Sequence, residues 1–370
     1  MDKKMTVTPW EVSGEIDYHK LIKEFGIKPI GKLPDPFLEN ILFRRKLIFA
    51  HRDFERILDA IKQKKKFVMM TGLMPSGKFH FGHMLVALQM IFYQKLGAKI
   101  YIAVADLEAY NARQKNLEEL RKIAINEYLV NYIALGLKPE NVDFYFQSER
   151  SNNAKKSNAY YRLASNFSRY ATFNEFKAVY GDLSPGKINA SLLQASDMFH
   201  PQLHEFEGKL PVVVPVGVDQ DPHIRLARDI GSRYKDHDFV QLSSTYHSFI
   251  PSLKGEGKMS SSDETSYIAL TDTPKEVEAK IRKYAFSGGR DTVEEHRKKG
   301  GNPDADISFQ YLKMFFEPDD EKLKKIEQDY RQGILLTSEL KKYLIEKINA
   351  FLKEHQKKRE KAKSEVHKFL

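Results

Sequence analysis

Apolar and polar positions fall along the chain in blocks that predict an alternating order of strands and helices. Residues 67–72 form a short unbroken apolar run, the pattern of a strand buried on both faces. The apolar-rich stretch from Met84 predicts a helix packed on a sheet, ending near Leu96 and Gly97, since glycine is common just past a helix end. Residues 98–106 predict a second strand, which completes a parallel, right-handed βαβ unit. Helical spacing of Ile123, Leu129 and Ile133 predicts a helix over 117–137, and 143–147 a third strand. Residues 211–218 predict a buried strand that enters a polar turn at Asp219 to Pro222, with a helix over 223–230. Residues 237–242 predict the last strand. Beyond about residue 269 helical patterns dominate, at 274–284, 307–316, 320–332 and 338–352, and the basic tail 353–370 reads as helical too.

The first 55 residues are less regular. A helix-like run at 16–26 precedes Pro29, Pro34 and Pro36, which break regular structure. Trp10, the only tryptophan, reads as a packing residue. The amphipathic stretch 54–61 leads into the first strand. Residues 149–190 are polar, aromatic and irregular, and read as part of an insertion between two nucleotide-binding halves. The expected organisation is an N-terminal extension over 1–55 and an α/β domain over 56–268, with an insertion around 115–190 and a loop at 255–263. A helical domain over 269–370 follows. The fold class is α/β, a Rossmann-like doubly wound parallel sheet followed by an all-helical domain.

Composition narrows the chemistry. With 370 residues the chain can bury a large core. It has no cysteine, which excludes disulfides, cysteine zinc sites, iron–sulfur clusters and thiol nucleophiles, and fits a cytoplasmic setting. No stretch reaches the roughly 18–20 continuous apolar residues of a membrane span. The first residues lack the apolar core of a signal peptide. The net charge of +10 is compatible with a polyanion partner and equally with a mixed charged surface.

The chemistry-bearing residues cluster at strand ends. Pro75 to His83, with Gly77, His80, Gly82 and His83, join a strand to a helix start, where backbone N–H groups and the helix dipole receive anions. Asp106 and Glu108 fall at the carboxyl end of the second strand, the edge at which open α/β sheets bind ligands. Gln194 and Asp197 share a face if helical, and suit a substrate N–H or a helix cap at the surface. Asp219 stands at a second strand–turn–helix, where a ribose diol is held in such folds. Lys258 to Ser262 lie in a glycine-flanked loop, either a mobile lysine for pyrophosphate charge or an ordinary surface loop.

The HxGH pattern at 80–83 and Lys258-Met259-Ser260-Ser261-Ser262, about 175 residues later, together resemble the two signatures of class I aminoacyl-tRNA synthetases, at the spacing of the tyrosyl/tryptophanyl branch. Residues 285–297 (AFSGGRDTVEEHR), 300–306 (GGNPDAD), 218–223 (VDQDPH), 336–342 (LTSELKK) and 8–12 (TPWEV) are similar to tryptophanyl-tRNA synthetases of the archaeal and eukaryotic type. This resemblance implies adenylation of tryptophan by ATP with Mg²⁺, then transfer to tRNA(Trp). It implies a homodimer whose helical domain reads the anticodon, and no membrane partner. It places His80, His83, Lys258, Ser260 and Ser261 in catalysis. Pro75, Gly77, Gly82, Gly217, Asp219, Met259 and Ser262 join them in holding ATP. Met70, Glu108, Gln194, Asp197 and Gln220 face the amino acid, with Asp197 accepting the indole N–H and Gln220 meeting the amino group. No metal ligand set is implied. At positions matching Met70 and Ala103, eukaryotic relatives carry a tyrosine and a glutamine that recognise indole. Asp197 instead resembles the bacterial and tyrosyl arrangement. Tyrosine specificity, a non-catalytic RNA-binding paralogue and a small-molecule nucleotidyltransferase are the rival readings.

Overall fold

The computed structural model describes residues 6–7, 12–13, 17–112, 115–261 and 263–370. Trp10 and Ser262 lie outside them. Strands β1 (Thr6–Val7) and β2 (Val12–Ser13) pair as a short antiparallel ribbon. The main sheet has seven strands: β3 (Lys28–Pro29), β4 (Ile48–Arg52), β5 (Val68–Leu73), β6 (Lys99–Val104), β7 (Val142–Phe146), β8 (Val212–Gly217) and β9 (Ser243–His247). Their spatial order is β3-β4-β9-β8-β5-β6-β7. The five strands from β9 to β7 are parallel, while β3 and β4, from the N-terminal 55 residues, add antiparallel at one edge.

Counted from β5 as the first parallel strand, the order across the sheet is 3-2-1-4-5, the doubly wound order. The chain changes direction between β5 and β8. Ligands in such sheets sit in the crevice beyond the carboxyl ends at that point. Here those ends lead to residues 74–80 and to Gly217 and Asp219. The alternate faces of β5 to β7 feed two separate apolar cores: Met69, Ile100, Ile102 and Phe146 on one side, Met70, Tyr101, Ala103 and Tyr145 on the other.

Two expectations are corrected. The last strand is Ser243–His247, not 237–242. All five of its residues are buried, and all are polar or hydroxyl-bearing, so no apolar run marks it. Its side chains are matched internally: Ser243 Oγ donates to the Asp53 carbonyl (2.7 Å), and the Tyr246 hydroxyl, accepting from Ser244 Oγ (2.8 Å), donates to Asp221. Residues 149–190 are not irregular but contain the helices Ala154–Phe167 and Phe173–Tyr180 and the start of Pro185–Phe199. Side chains of Asn153, Thr172 and Ser184 cap these helices. The buried stripe Tyr160, Leu163, Ala164, Phe167 has helical spacing, but tyrosines and short side chains within a polar sequence hide it.

Among the described residues no strand follows β9. The C-terminal helices are Pro274–Tyr284, Val293–Lys299, Ile307–Tyr311 continuing as a π-helical turn to Phe316, Asp320–Arg331, and one 27-residue helix, Thr337–Lys363, and they share one apolar core with the sheet. That last helix merges the expected 338–352 helix with much of the basic tail. Asp306 organises these helices. It caps the Ile307–Tyr311 helix through the Ser308 N–H (2.9 Å), and also accepts from the Gly288 N–H (2.9 Å) and the Tyr330 hydroxyl (2.7 Å). A Cβ on Gly288 would lie 1.9 Å from the Asn302 carbonyl oxygen, so the glycines of this segment let two loops touch backbone to backbone. Phe81 packs against Tyr311 (5.9 Å) and Phe316 (5.1 Å), so the C-terminal helices rest on the helix capped by His80.

Candidate active site

Residues 75–83 bridge β5 and the helix Phe81–Lys95. His80 is that helix's N-cap: its backbone is extended, and its Nδ1 accepts the Gly82 N–H at 3.0 Å. His83 Nδ1 accepts the His80 N–H at 3.2 Å, closing a reciprocal box. Both Nδ1 atoms are therefore acceptors. Both imidazoles carry their proton on Nε2, which lies beside Ser261 Oγ in His80 and beside the Tyr128 hydroxyl in His83. The rings lie 3.9 Å apart. Burial holds His80 well below the ordinary imidazole value, helped by its neighbour, and burial pushes His83 down to about 4. Two neutral donors are thus fixed at a helix N-terminus, suited to phosphate oxygens without competing for a proton. Gly82 is essential to the geometry, since a Cβ there would come within 2.7 Å of the His80 ring.

The second motif meets the first. His80 Nε2 is 3.3 Å from Ser261 Oγ, and Ser76 Oγ donates to the same oxygen at 3.4 Å. Met259 is buried. Gly77 faces Ser261 closely enough that an added Cβ would lie 3.6 Å from the serine Cβ. Lys258 Nζ reaches back across the crevice to Asp219 Oδ2 (2.7 Å), which also accepts from Gln220 Nε2 (3.1 Å). Gly217 allows this turn: a Cβ there would lie 2.5 Å from the Asp219 carboxylate. The loop expected to be mobile is braced in this state. Ser252 N–H donates to the Gly257 carbonyl (3.1 Å), Ser260 pairs with Ser266, and Asp263, held down to about 2 chiefly by Lys254 and Thr265, binds both. Gly255 and Gly257, at φ of 77° and 67°, make its turns.

The second group of residues expected to bind substrate lies along β5 to β7. Gly72 is exposed within an otherwise buried strand, and a Cβ there would meet only the Ala103 carbonyl at 3.9 Å. Gly72 pairs with Ala103, and Ala103 with Tyr145, so two small residues leave an open floor beside Met70. Asp197, from the Pro185–Phe199 helix, is buried behind this floor. Its Oδ1 accepts from the hydroxyls of Tyr145 (2.7 Å) and Tyr160 (2.8 Å), and its Oδ2 from Gln147 Nε2 (2.7 Å). Burial pushes Asp197 up to about 6 against those three bonds. Burial, then the Asp197 charge, also raises Glu108. Gln194 accepts from the Tyr180 hydroxyl (3.4 Å), which also touches His223 Nδ1 (3.0 Å). Asp106 braces the sheet edge, accepting from the Leu107 and Ser148 N–H groups, both at 3.0 Å.

His80, His83, Ser261 and Gly77 thus converge, as do Lys258, Asp219 and Gln220. Met70, Glu108, Gln194 and Asp197 form a separate group. Sequence reasoning missed Gln147, Tyr145, Tyr160, Ser76 and Tyr128. Gln147 follows directly on β7, so the carboxyl-edge rule applied to the third strand identifies it. The Tyr128 hydroxyl lies 3.5 Å from His83 Nε2 and 3.3 Å from Ser76 Oγ, but nothing in the helix around it advertises that contact.

The family described as tRNA synthetases class I (W and Y) matches residues 62–353. The chain is 46% identical to the tryptophan–tRNA ligase of Methanocaldococcus jannaschii over 100% of this chain and 99% of that one. It is 44% identical to the tryptophan–tRNA ligase of Hyperthermus butylicus, over 98% and 97%. A crystal structure of tryptophanyl-tRNA synthetase from Aeropyrum pernix superposes with a TM-score of 0.89 at 43% identity, covering 95% of this chain and 96% of that one. The chain belongs to the class I aminoacyl-tRNA synthetases of the tryptophan and tyrosine family.

Proposed function

We propose that this chain is a tryptophan–tRNA ligase whose chemistry is divided between the two groups of residues described above. ATP, entering as its Mg²⁺ complex, is attacked at the α-phosphate by the tryptophan carboxylate. Tryptophanyl-adenylate forms and pyrophosphate leaves. No side-chain nucleophile is required, and the rate comes from positioning and charge stabilisation. The neutral Nε2–H groups of His80 and His83 donate to phosphate oxygens at the α-phosphate. Lys258 leaves Asp219 for the departing pyrophosphate, and Ser260, Ser261 and Ser262 close beside it with Met259. Pro75, Gly77, Gly82 and Gly217 keep the crevice clear for the nucleotide, and Asp219, once Lys258 has gone, is open to the ribose. Gln220 meets the substrate's amino group. Met70, Glu108, Gln194 and Asp197 select the side chain, with Asp197 acting on the indole N–H.

The acyl group then passes to the 2′-OH of the terminal ribose of tRNA(Trp). The helical domain reads the single-stranded anticodon by stacking and base-edge hydrogen bonds. The enzyme works as a cytoplasmic homodimer. The observation that carries the two-sided phosphate site is the contact of His80 Nε2 with Ser261 Oγ, 181 residues apart in sequence. The test is acylation of tRNA(Trp) and tRNA(Tyr) transcripts with tryptophan and with tyrosine. Charging of tRNA(Trp) by tryptophan alone is expected. Charging of tRNA(Tyr) with tyrosine would make this a tyrosyl enzyme, and no charging of either would make it a paralogue.

A further inference from the structure

The adenylate chemistry does not use the last helix, Thr337–Lys363, yet two of its residues hold the phosphate loop from opposite sides. Arg359 donates through Nη2 to Glu127 Oε1 (3.0 Å) and to the Asn126 carbonyl (2.8 Å). The other Glu127 oxygen accepts the Phe79 N–H (3.4 Å). Gln356, one turn earlier, donates through Nε2 to the carbonyls of Leu270 (3.1 Å) and Asp272 (3.0 Å). The Leu270 N–H in turn donates to the Phe79 carbonyl (2.9 Å), and Ala269 bridges His80. Both backbone polar groups of Phe79, the residue that leads into His80, are therefore tied to groups that the last helix grips.

The helix segment that receives Arg359 is itself unusual. Residues Ala124–Leu129 form a π-helical turn, a rare geometry that is frequent at functional sites; a second, Leu312–Phe316, lies in the C-terminal helices. Glu127 reaches Phe79, and the adjacent Tyr128 reaches the Ser76 N–H (3.4 Å) and the His83 ring. His355, on the same stretch of the last helix, donates Nε2–H to Asn131 Oδ1 (2.7 Å), and Asn131 donates its amide to the Glu127 carbonyl. Burial separates the Arg359–Glu127 pair from its neighbours. Its side chains are 13% and 26% exposed, against 62% and 62% for Lys357–Glu354 and 52% and 66% for Lys363–Glu360. The latter two are solvated pairs of little energetic weight.

We propose that Gln356 and Arg359 are positioning residues for ATP activation: acting through Leu270 and Glu127, they fix the Phe79–His80 backbone and so the aim of both imidazoles. The proposal rests on residues 75–83 being the ATP phosphate site. It makes the last helix of the helical domain a structural partner of the first chemical step.

The test uses full-length Arg359→Met, which removes the charge but keeps the stem, with Glu127→Gln, the double variant, Arg359→Lys and His83→Ala. Tryptophan-dependent ATP–pyrophosphate exchange, the tryptophan KM and thermal melting are measured on each. The expected result is a kcat loss on the order of 10-fold in each of Arg359→Met and Glu127→Gln, as for a small displacement of reacting groups. The tryptophan KM stays within about two-fold, the double variant is no worse than the poorer single one, and Arg359→Lys recovers part of the rate. Unchanged kcat, additive losses, or loss of kcat and KM together with melting would overturn the proposal. If Arg359→Met does not fold, Gln356→Met is read by the same criteria. His83→Ala separates the two levels. Full exchange in that variant would refute the phosphate-site reading itself. Its loss alongside a normal Arg359→Met would refute only the role of the last helix.

Discussion

Alanine at Gly82 separates the geometry of the phosphate site from the stability of the helix that carries it. The new Cβ would lie 2.7 Å from Cε1 and 2.9 Å from Nδ1 of His80, closer than a methyl group tolerates, so the imidazole must swing away. Swinging breaks the 3.0 Å bond from the Gly82 N–H and withdraws Nε2 from Ser261. Losing a cap costs about 0.5–2 kcal/mol, while glycine to alanine within a helix returns up to about 1 kcal/mol. The net cost is about 1 kcal/mol, which in a chain of 370 residues moves the melting temperature by only about 1–2 °C. The rate should respond quite differently. A misaimed preorganised donor costs on the order of 10²–10³ in kcat. Tryptophan-dependent ATP–pyrophosphate exchange, read beside calorimetric melting, should therefore show a hundred-fold or larger loss in a protein that melts almost normally. The tryptophan KM should hardly move, because the Asp197 group is separate from the motif. An exchange rate within about two-fold of the parent would refute the assignment of His80 to the phosphates.

The remaining predictions concern the other groups. Lys258→Ala should slow single-turnover adenylate formation on the order of 10²–10³-fold with tryptophan affinity unchanged; a near-normal rate would remove Lys258 from the mechanism. Asp197→Asn keeps the shape but replaces an accepting oxygen with an amide, so one of Tyr145, Tyr160 or Gln147 must reverse. Discrimination between tryptophan and phenylalanine should fall by up to roughly 10⁴ while the KM for ATP stays, and intact discrimination would make Asp197 a bystander. Burial depresses His83, His223, His247 and His355 to about 4, and holds His80 and His200 well below the ordinary value. The unfolded chain therefore takes up protons below about pH 6.5 that the native chain refuses, and stability falls as pH drops from there towards 4. Asp197, raised to about 6, opposes this, because its protonation favours the folded state over part of the same range. The six imidazoles outweigh it, so the melting temperature should fall between pH 7 and pH 5. Over the range in which the protein stays folded, and with tryptophan saturating so that titration of Asp197 does not limit binding, the adenylation rate should show no inflection near 6.5, since both motif imidazoles are already neutral; an inflection there that persists in Asp197→Asn would mean a charged histidine acts.

Much of the fold is legible in the sequence, because it depends on residue types with narrow uses. Two histidines around a glycine after a buried strand point to a helix N-terminus suited to phosphate, and the structure brings the lysine–serine loop against it through His80 and Ser261. The parallel sheet follows from apolar strands alternating with helices, but its strand order does not. Residues that act by filling or bracing were not legible. β9 is built from Ser, Ser, Thr, Tyr and His, and its burial depends on partners such as Asp221 and Asp53 that lie far away in sequence. The helices at 154–180 hide their apolar face in tyrosines. Asp197 could be named as a pocket residue, but Tyr145, Tyr160 and Gln147, which occupy its oxygens, come from other elements. The resting contact of Lys258 with Asp219 closes a loop across 39 residues that no local pattern announces.

The most direct test of the account is amino-acid-dependent ATP–pyrophosphate exchange by the unmodified protein, with tryptophan, tyrosine and phenylalanine compared at saturating ATP. Exchange with tryptophan is expected, with a kcat/KM at least roughly 10³-fold lower for the other two, the discrimination expected of a buried site that reads a substrate N–H. Equal or greater exchange with tyrosine, or none with any of the three, would contradict it.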